Sequence, residues 1–102
     1  MNIKNIKEVE DWFQVLQTGK ESQTAIMTLE PGQSSGDKAE AHKQSDQVLL
    51  VLQGEVYAEV GSQKETMKQG DVIIIPPGTK HKFTNRGKAA AVTFNVYAPP
   101  EY

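Results

Sequence analysis

Apolar residues in this chain recur at every second position, in short runs closed off by glycine or proline, and that rhythm leaves room for little but β-structure. Ala25, Met27 and Leu29 alternate with polar neighbours ahead of a Pro31-Gly32 turn. Val48 to Leu52 is apolar without a break, the pattern of a strand covered on both faces, and Gly54 ends it. Val56, Ala58 and Val60 then alternate with Glu55, Tyr57 and Glu59, and Gly61-Ser62 suits a tight hairpin turn. A polar strand from Gln63 to Met67 follows, then a Gly70-Asp71 turn and an apolar strand from Val72 to Ile75. Lys80 to Thr84 and Ala91 to Tyr97 supply two more. About eight short strands punctuated by Gly and Pro specify an all-β sandwich or barrel. The tail Ala98-Pro99-Pro100-Glu101-Tyr102 cannot join a central strand, because its prolines lack amide donors.

One segment has helical spacing. Asn5 can cap, Glu8 stands three residues on, and Ile6, Val9, Trp12 and Phe13 share a face, which predicts a short helix from Lys7 to Phe13. A length of 102 residues allows a single domain, 1–102, with Glu30 to Ala41 as its loosest loop. There is no cysteine, so any metal must be held by His, carboxylate, amide or water. Eleven basic side chains against 13 acidic ones give no basic face for nucleic acid. The apolar runs are too short to span a bilayer, and Met1 to Asp11 has no signal-peptide core. A cytoplasmic protein with no membrane or nucleic-acid partner is expected; the missing cysteines suit a reducing compartment.

Gly70 to Asn85 carries the most information. Gly70 permits an entry turn, Pro76 ends a strand, Gly78 allows a positive-φ turn and His81 opens the next strand. With period two, His81, Phe83 and Asn85 share one face, and Lys80 and Lys82 take the other. Burying two lysines is costly, so the His81 face points inward and the lysines are solvated. Asn85 suits the closing of a turn with its side chain. This stretch resembles the second motif of the cupin family, G-x5-P-x-G-x2-H-x3-N, filled at every fixed position by residues 70–85. The first cupin motif, G-x5-H-x-H-x3,4-E-x6-G, is visible in altered form over residues 36–54. His42 takes the first histidine slot after Gly36. Gln44 stands for the second histidine, and Gln47, counted back from Gly54, for the glutamate. One residue between Gln44 and Gln47 is missing relative to the family.

That deletion matters geometrically. On an unbroken strand His42 and Gln47 point to opposite faces, and the interior would receive Lys43 with Gln47 and His81. With a bulge or irregular loop between them, His42, Gln47 and His81 face one pocket, with Gln44 as a further candidate. The second register is favoured because it does not bury Lys43 unpaired.

The resemblance implies a double-stranded β-helix, a jelly-roll barrel of the RmlC-like kind, with a divalent metal as its usual cofactor. His42, Gln47, His81 and, last, Gln44 are the candidate ligands. They are neutral, so Zn, Ni, Fe, Mn or Co would be weakly held, with Asp46, hydroxide or an anionic ligand balancing the charge. Three functional classes stay open. One is a metal-dependent dioxygenase, isomerase or decarboxylase acting on a small polar molecule. Another is a non-catalytic small-ligand binding module. The third is a metal-free, sugar-epimerase-like enzyme using His81 or His42 as base, with Asp46 or Glu40 to orient it. Glu55, Glu59 and Tyr57 read as a solvated face, and Trp12, Phe13 and Tyr97 as packing residues. A homodimer is expected, since pairing hides sheet edges.

Overall fold

A computed structural model describes all 102 residues. Eight strands account for the regular structure: β1 (Phe13–Thr18), β2 (Gln23–Leu29), β3 (Asp46–Gln53), β4 (Glu55–Val60), β5 (Gln63–Lys68), β6 (Val72–Ile75), β7 (His81–Thr84) and β8 (Ala91–Ala98). They form two antiparallel sheets, β1-β2-β8-β3-β6 and β5-β4-β7, stacked as a jelly-roll sandwich. No helix is long and apolar enough to cross a membrane.

Alternation decides which side chains meet between the layers. From the larger sheet come Met27 and Leu29 of β2, Leu49 and Val51 of β3, Ile75 of β6 and Ala91 of β8. From the smaller come Val56 and Ala58 of β4, Met67 of β5 and Phe83 of β7. The opposite face of the larger sheet is also apolar. Val48 and Leu50 of β3 pair with Ile74 and Val72 of β6 on one side, and with Val96 and Phe94 of β8 on the other. Val72 and Ile74 are 62% and 63% exposed. An antiparallel sheet with a solvated outer face normally carries polar side chains there.

The helix expected from Lys7 to Phe13 is not present. A single 3-10 turn, Ile6–Glu8, is capped by the Asn5 side chain, and Val9 is already extended. A helix of two turns has hardly passed its nucleation cost and needs packing to persist. Here the turn buries nothing. Phe13 gains more as the first residue of β1, where it pairs with Met27. β1 itself was hidden in the sequence behind the helical spacing of the residues before it.

The long loop before β3 is tied to β7. Ser35 N–H donates to the Phe83 carbonyl (2.8 Å), and His81 and Glu40 exchange backbone hydrogen bonds of 2.8 and 3.1 Å. Asn85 is fully buried. Its Nδ2 donates to the Leu29 and Ala89 carbonyls and its Oδ1 accepts from Gly87 N–H, each at 2.8 Å. It therefore closes the turn after β7 and fastens it to β2.

Two glycines test the backbone differently. Gly54 (φ +74°) lies against the neighbouring turn, and a Cβ there would come within 2.7 Å of the Ala90 carbonyl oxygen. Gly78 (φ +80°) has nothing within 4 Å. Gly54→Ala is expected to cost about 3 kcal/mol or more, and Gly78→Ala only about 1 kcal/mol. Thermal denaturation reads the difference as a Tm gap of roughly 10 °C between the variants.

Candidate functional site

The tie between the loop and β7 places one histidine over the other. Glu40 pairs with His81, the chain then leaves strand geometry, and Gly78 N–H donates to the His42 carbonyl at 2.7 Å. β3 begins only at Asp46. The irregular register is therefore the one adopted: His42 and Gln47 both face inward, and Lys43 stays exposed. The His42 and His81 rings lie 4.8 Å apart between centroids. With Gln47 they line a cavity of about 230 Å³, whose walls include Trp12, Phe13, Tyr97 and Tyr102. A cavity of about 290 Å³ at the seam of β5 and β6 contains no imidazole.

Gln44 does not join them. It is exposed and borders a separate surface depression with Lys43 and Ser45. Asp46 is likewise exposed, because its neighbour in the strand, Gln47, takes the inward position. The carboxylate that does reach an imidazole is Glu101, whose Oε1 lies 3.4 Å from His42 Nδ1. Period and motif gave no signal for it, because the tail that carries it is neither strand nor motif.

The direction of each hydrogen bond around Gln47 is fixed by the one behind it. Thr93 Oγ1 donates to the Met27 carbonyl (2.9 Å), so it accepts from Asn95 Nδ2 (3.0 Å). Asn95 Oδ1 must then face Gln47 Nε2 (2.9 Å), and Gln47 Oε1 is left to face His42 Nε2 at 3.0 Å. Asn95 and Thr93 are fully buried and Gln47 nearly so. Gln47 thus presents a carbonyl oxygen, never an N–H, to the pocket. His81 Nδ1 meets the Thr79 carbonyl at 3.0 Å, which assigns its proton to Nδ1 and leaves a lone pair on Nε2. No buried side-chain nitrogen or oxygen lacks a partner, so Nε2, which has none, opens on the cavity that His81 lines.

Electrostatics agree with a neutral His81. Burial lowers its pKa below 6.5, and the nearby His42 lowers it further, against the Thr79 hydrogen bond and Glu40. Burial, and then the neighbouring Tyr102, raise the Tyr97 phenol above its ordinary value, so it stays protonated. No three His, Cys, Asp or Glu side chains cluster as a metal-binding group. Two histidines and an amide oxygen do line one cavity. Each imidazole has Nδ1 facing an acceptor, the backing usual for a histidine that ligates through Nε2. The residues fit a divalent ion held by neutral donors.

The His81 shift has a sign that can be checked. An imidazole harder to protonate when folded leaves the unfolded chain the stronger proton binder between the folded pKa and 6.5. Its stabilising contribution is complete above 6.5 and is lost as pH falls through that window. Denaturant midpoints should decline from about pH 7 to about pH 5, and His81→Gln should flatten that decline.

Comparison with known proteins agrees with the geometry. The cupin domain family matches residues 25–97. The uncharacterised protein YrkC of Bacillus subtilis is 29% identical over 109 aligned positions, which take in 100% of this chain and 58% of that protein. The chain thus spans a little over half the length of this curated relative. The crystal structure of TT1209 from Thermus thermophilus superposes with a TM-score of 0.83 at 27% identity, covering 97% of this chain and 98% of that one. An RmlC-like cupin from Shewanella frigidimarina shares the fold at a TM-score of 0.83 and 19% identity, covering 98% and 92%. Two stacked antiparallel sheets, the histidine at the start of β7 and the family match over most of the sequence lead to one conclusion: the chain belongs to the cupin family.

Proposed function

We propose that the pocket binds a divalent first-row transition ion through His42 Nε2, His81 Nε2 and Gln47 Oε1, together with a small anionic ligand. The observation that carries this reading is the enforced orientation of Gln47, whose oxygen stands 3.0 Å from His42 Nε2. Adjacent donors around an ion at about 2.1 Å are separated by about 3 Å. His42 is also caught between two acceptors, Gln47 Oε1 and the Glu101 carboxylate. A neutral imidazole satisfies one of them; a cation at Nε2, whether a proton or a metal ion, lets Nδ1–H serve the other. Such an ion would polarise an oxygen of the bound ligand as a Lewis acid. Neutral donors do not offset its charge, which favours an anionic ligand and weak retention among Zn, Ni, Fe, Mn and Co.

One observation favours a different reading. The His42–Glu101 pair resembles the carboxylate-oriented imidazole of a metal-free base. The nitrogen that would take the proton, however, faces Gln47 rather than open cavity. Calorimetric titration with Co²⁺ or Ni²⁺ separates the two. Saturable uptake of one ion per chain is expected, weakened at least about tenfold in His81→Ala and in Gln47→Leu. No saturation at millimolar metal in the folded protein would refute the metal reading.

We also propose that a second copy of the chain covers the outer face of the larger sheet. Four strands about 4.8 Å apart, three with three outward side chains and β6 with two, spaced about 6.7 Å along each strand, span roughly 350 Å². That is a little under half of the roughly 800 Å² each partner gives to a stable interface, so the proposed contact extends onto the residues around this face. Light scattering should give twice the 11.3 kDa chain mass, and Ile74→Lys should return it to the monomer value.

A further inference from the structure

Gln23 is a glutamine only 1% exposed, far from either motif, and most of its hydrogen-bonding capacity goes to one short segment. Its Oε1 accepts from Glu101 N–H (3.1 Å) and Tyr102 N–H (2.9 Å), and its Nε2 donates to the Tyr102 carbonyl (2.7 Å). The other Nε2 proton goes to Thr18 Oγ1 (2.9 Å). Ser45 Oγ holds the same segment one step earlier, donating to the Pro99 carbonyl at 2.6 Å. The backbone of Pro99–Tyr102 is thus clamped by two buried side chains, Gln23 and Ser45. A buried amide with all its partners in place fixes a position; with one missing it destabilises the fold.

The clamp delivers two side chains to the pocket. Glu101 Oε1 comes to 3.4 Å from His42 Nδ1. The Tyr102 ring stands 5.0 Å from Phe13 and 5.1 Å from Tyr97, centroid to centroid, and Trp12 continues the series 6.0 Å from Phe13. Four aromatic rings in series therefore line the cavity, and the His42 ring stands 5.3 Å from Tyr97 and 6.2 Å from Tyr102. Tyr102 remains 61% exposed, so it stands at the open side. Rings in this arrangement offer faces and edges to another ring and little to a small hydrophilic ion.

We propose that the Pro99–Tyr102 tail is a working part of the site: Glu101 is the positioning residue for His42, and Tyr102 completes an aromatic wall that selects a flat ring carrying an acidic group. This rests on the metal reading for the acidic end of the ligand and stands apart from it for Glu101 and the wall. A cavity of about 230 Å³ has room for one such ring.

The test compares wild type with Glu101→Gln, Glu101→Asp and Tyr102→Ala. In metal-free protein at fixed pH, histidine ¹⁵N spectra should show His42 Nδ1 bearing a proton in wild type and in Glu101→Asp. In Glu101→Gln the side-chain amide can donate to Nδ1 instead, and that proton should be lost. Co²⁺ affinity should fall at least about tenfold in Glu101→Gln and recover in part in Glu101→Asp. Benzoate should bind more tightly than acetate to wild type, and Tyr102→Ala should remove most of that preference, roughly a five- to tenfold effect. An unchanged His42 spectrum in Glu101→Gln overturns the positioning role. Equal affinities for benzoate and acetate, or indifference to Tyr102→Ala, overturn the wall. Failure of wild type to take up Co²⁺ refutes the metal reading and with it the acidic end of the ligand, while the ¹⁵N spectra and a comparison of neutral benzamide with acetamide, both read on metal-free protein, still decide the positioning role and the wall.

Discussion

Everything at this site depends on a hydrogen-bonded relay that starts on a backbone carbonyl. Met27 O accepts from Thr93, Thr93 accepts from Asn95, Asn95 accepts from Gln47, and Gln47 is left with its oxygen toward His42. No link can reverse alone, because the Met27 carbonyl cannot donate and every group in between is buried. A side chain with one donor end and one acceptor end thereby spends its donor on Asn95 and turns its acceptor toward His42. Glutamine in this position keeps the oxygen that a carboxylate would have offered and gives up its charge. Under the proposed metal reading, a neutral oxygen here holds a cation more weakly than a carboxylate would.

The sheets exist to hold that relay taut. Thr93 and Asn95 lie on β8, between β2 and β3, so both ends of the chain of hydrogen bonds are anchored in one five-stranded layer. His81 comes from the other layer, at the start of β7. His42 belongs to neither. It rides on a loop that is bonded along β7 and ends against the Gly78 turn. The pocket is accordingly a joint between two rigid layers and one irregular segment.

Much of this could be read from the residues. Gly70, Pro76, Gly78, His81 and Asn85 fix a turn, a strand end and an inward face with so few alternatives that the resemblance and the physics coincide. The position of His42 was open between two registers, and the cost of burying Lys43 chose correctly between them. The rest was out of reach for specific reasons. Gln44 and Asp46 are near in sequence but turned outward by their strand and loop geometry. Glu101 and Tyr102 reach the site only through Gln23, 78 and 79 residues away, and no local pattern encodes such a contact. The segment around Trp12 had helical spacing, but spacing without a partner surface does not make a helix. Its aromatic residues instead serve the pocket wall and the edge strand β1.

The membership of the two histidines in different parts of the sandwich has one more result. His81 is carried by the three-stranded sheet and Gln47 by the five-stranded one, and they face each other across the interior. Whatever bridges them ties the two halves of the barrel together, as a rivet ties two plates. Occupancy and resistance to separation are then linked: a guest at concentration L raises the free energy of pulling the plates apart by RT ln(1 + L/Kd).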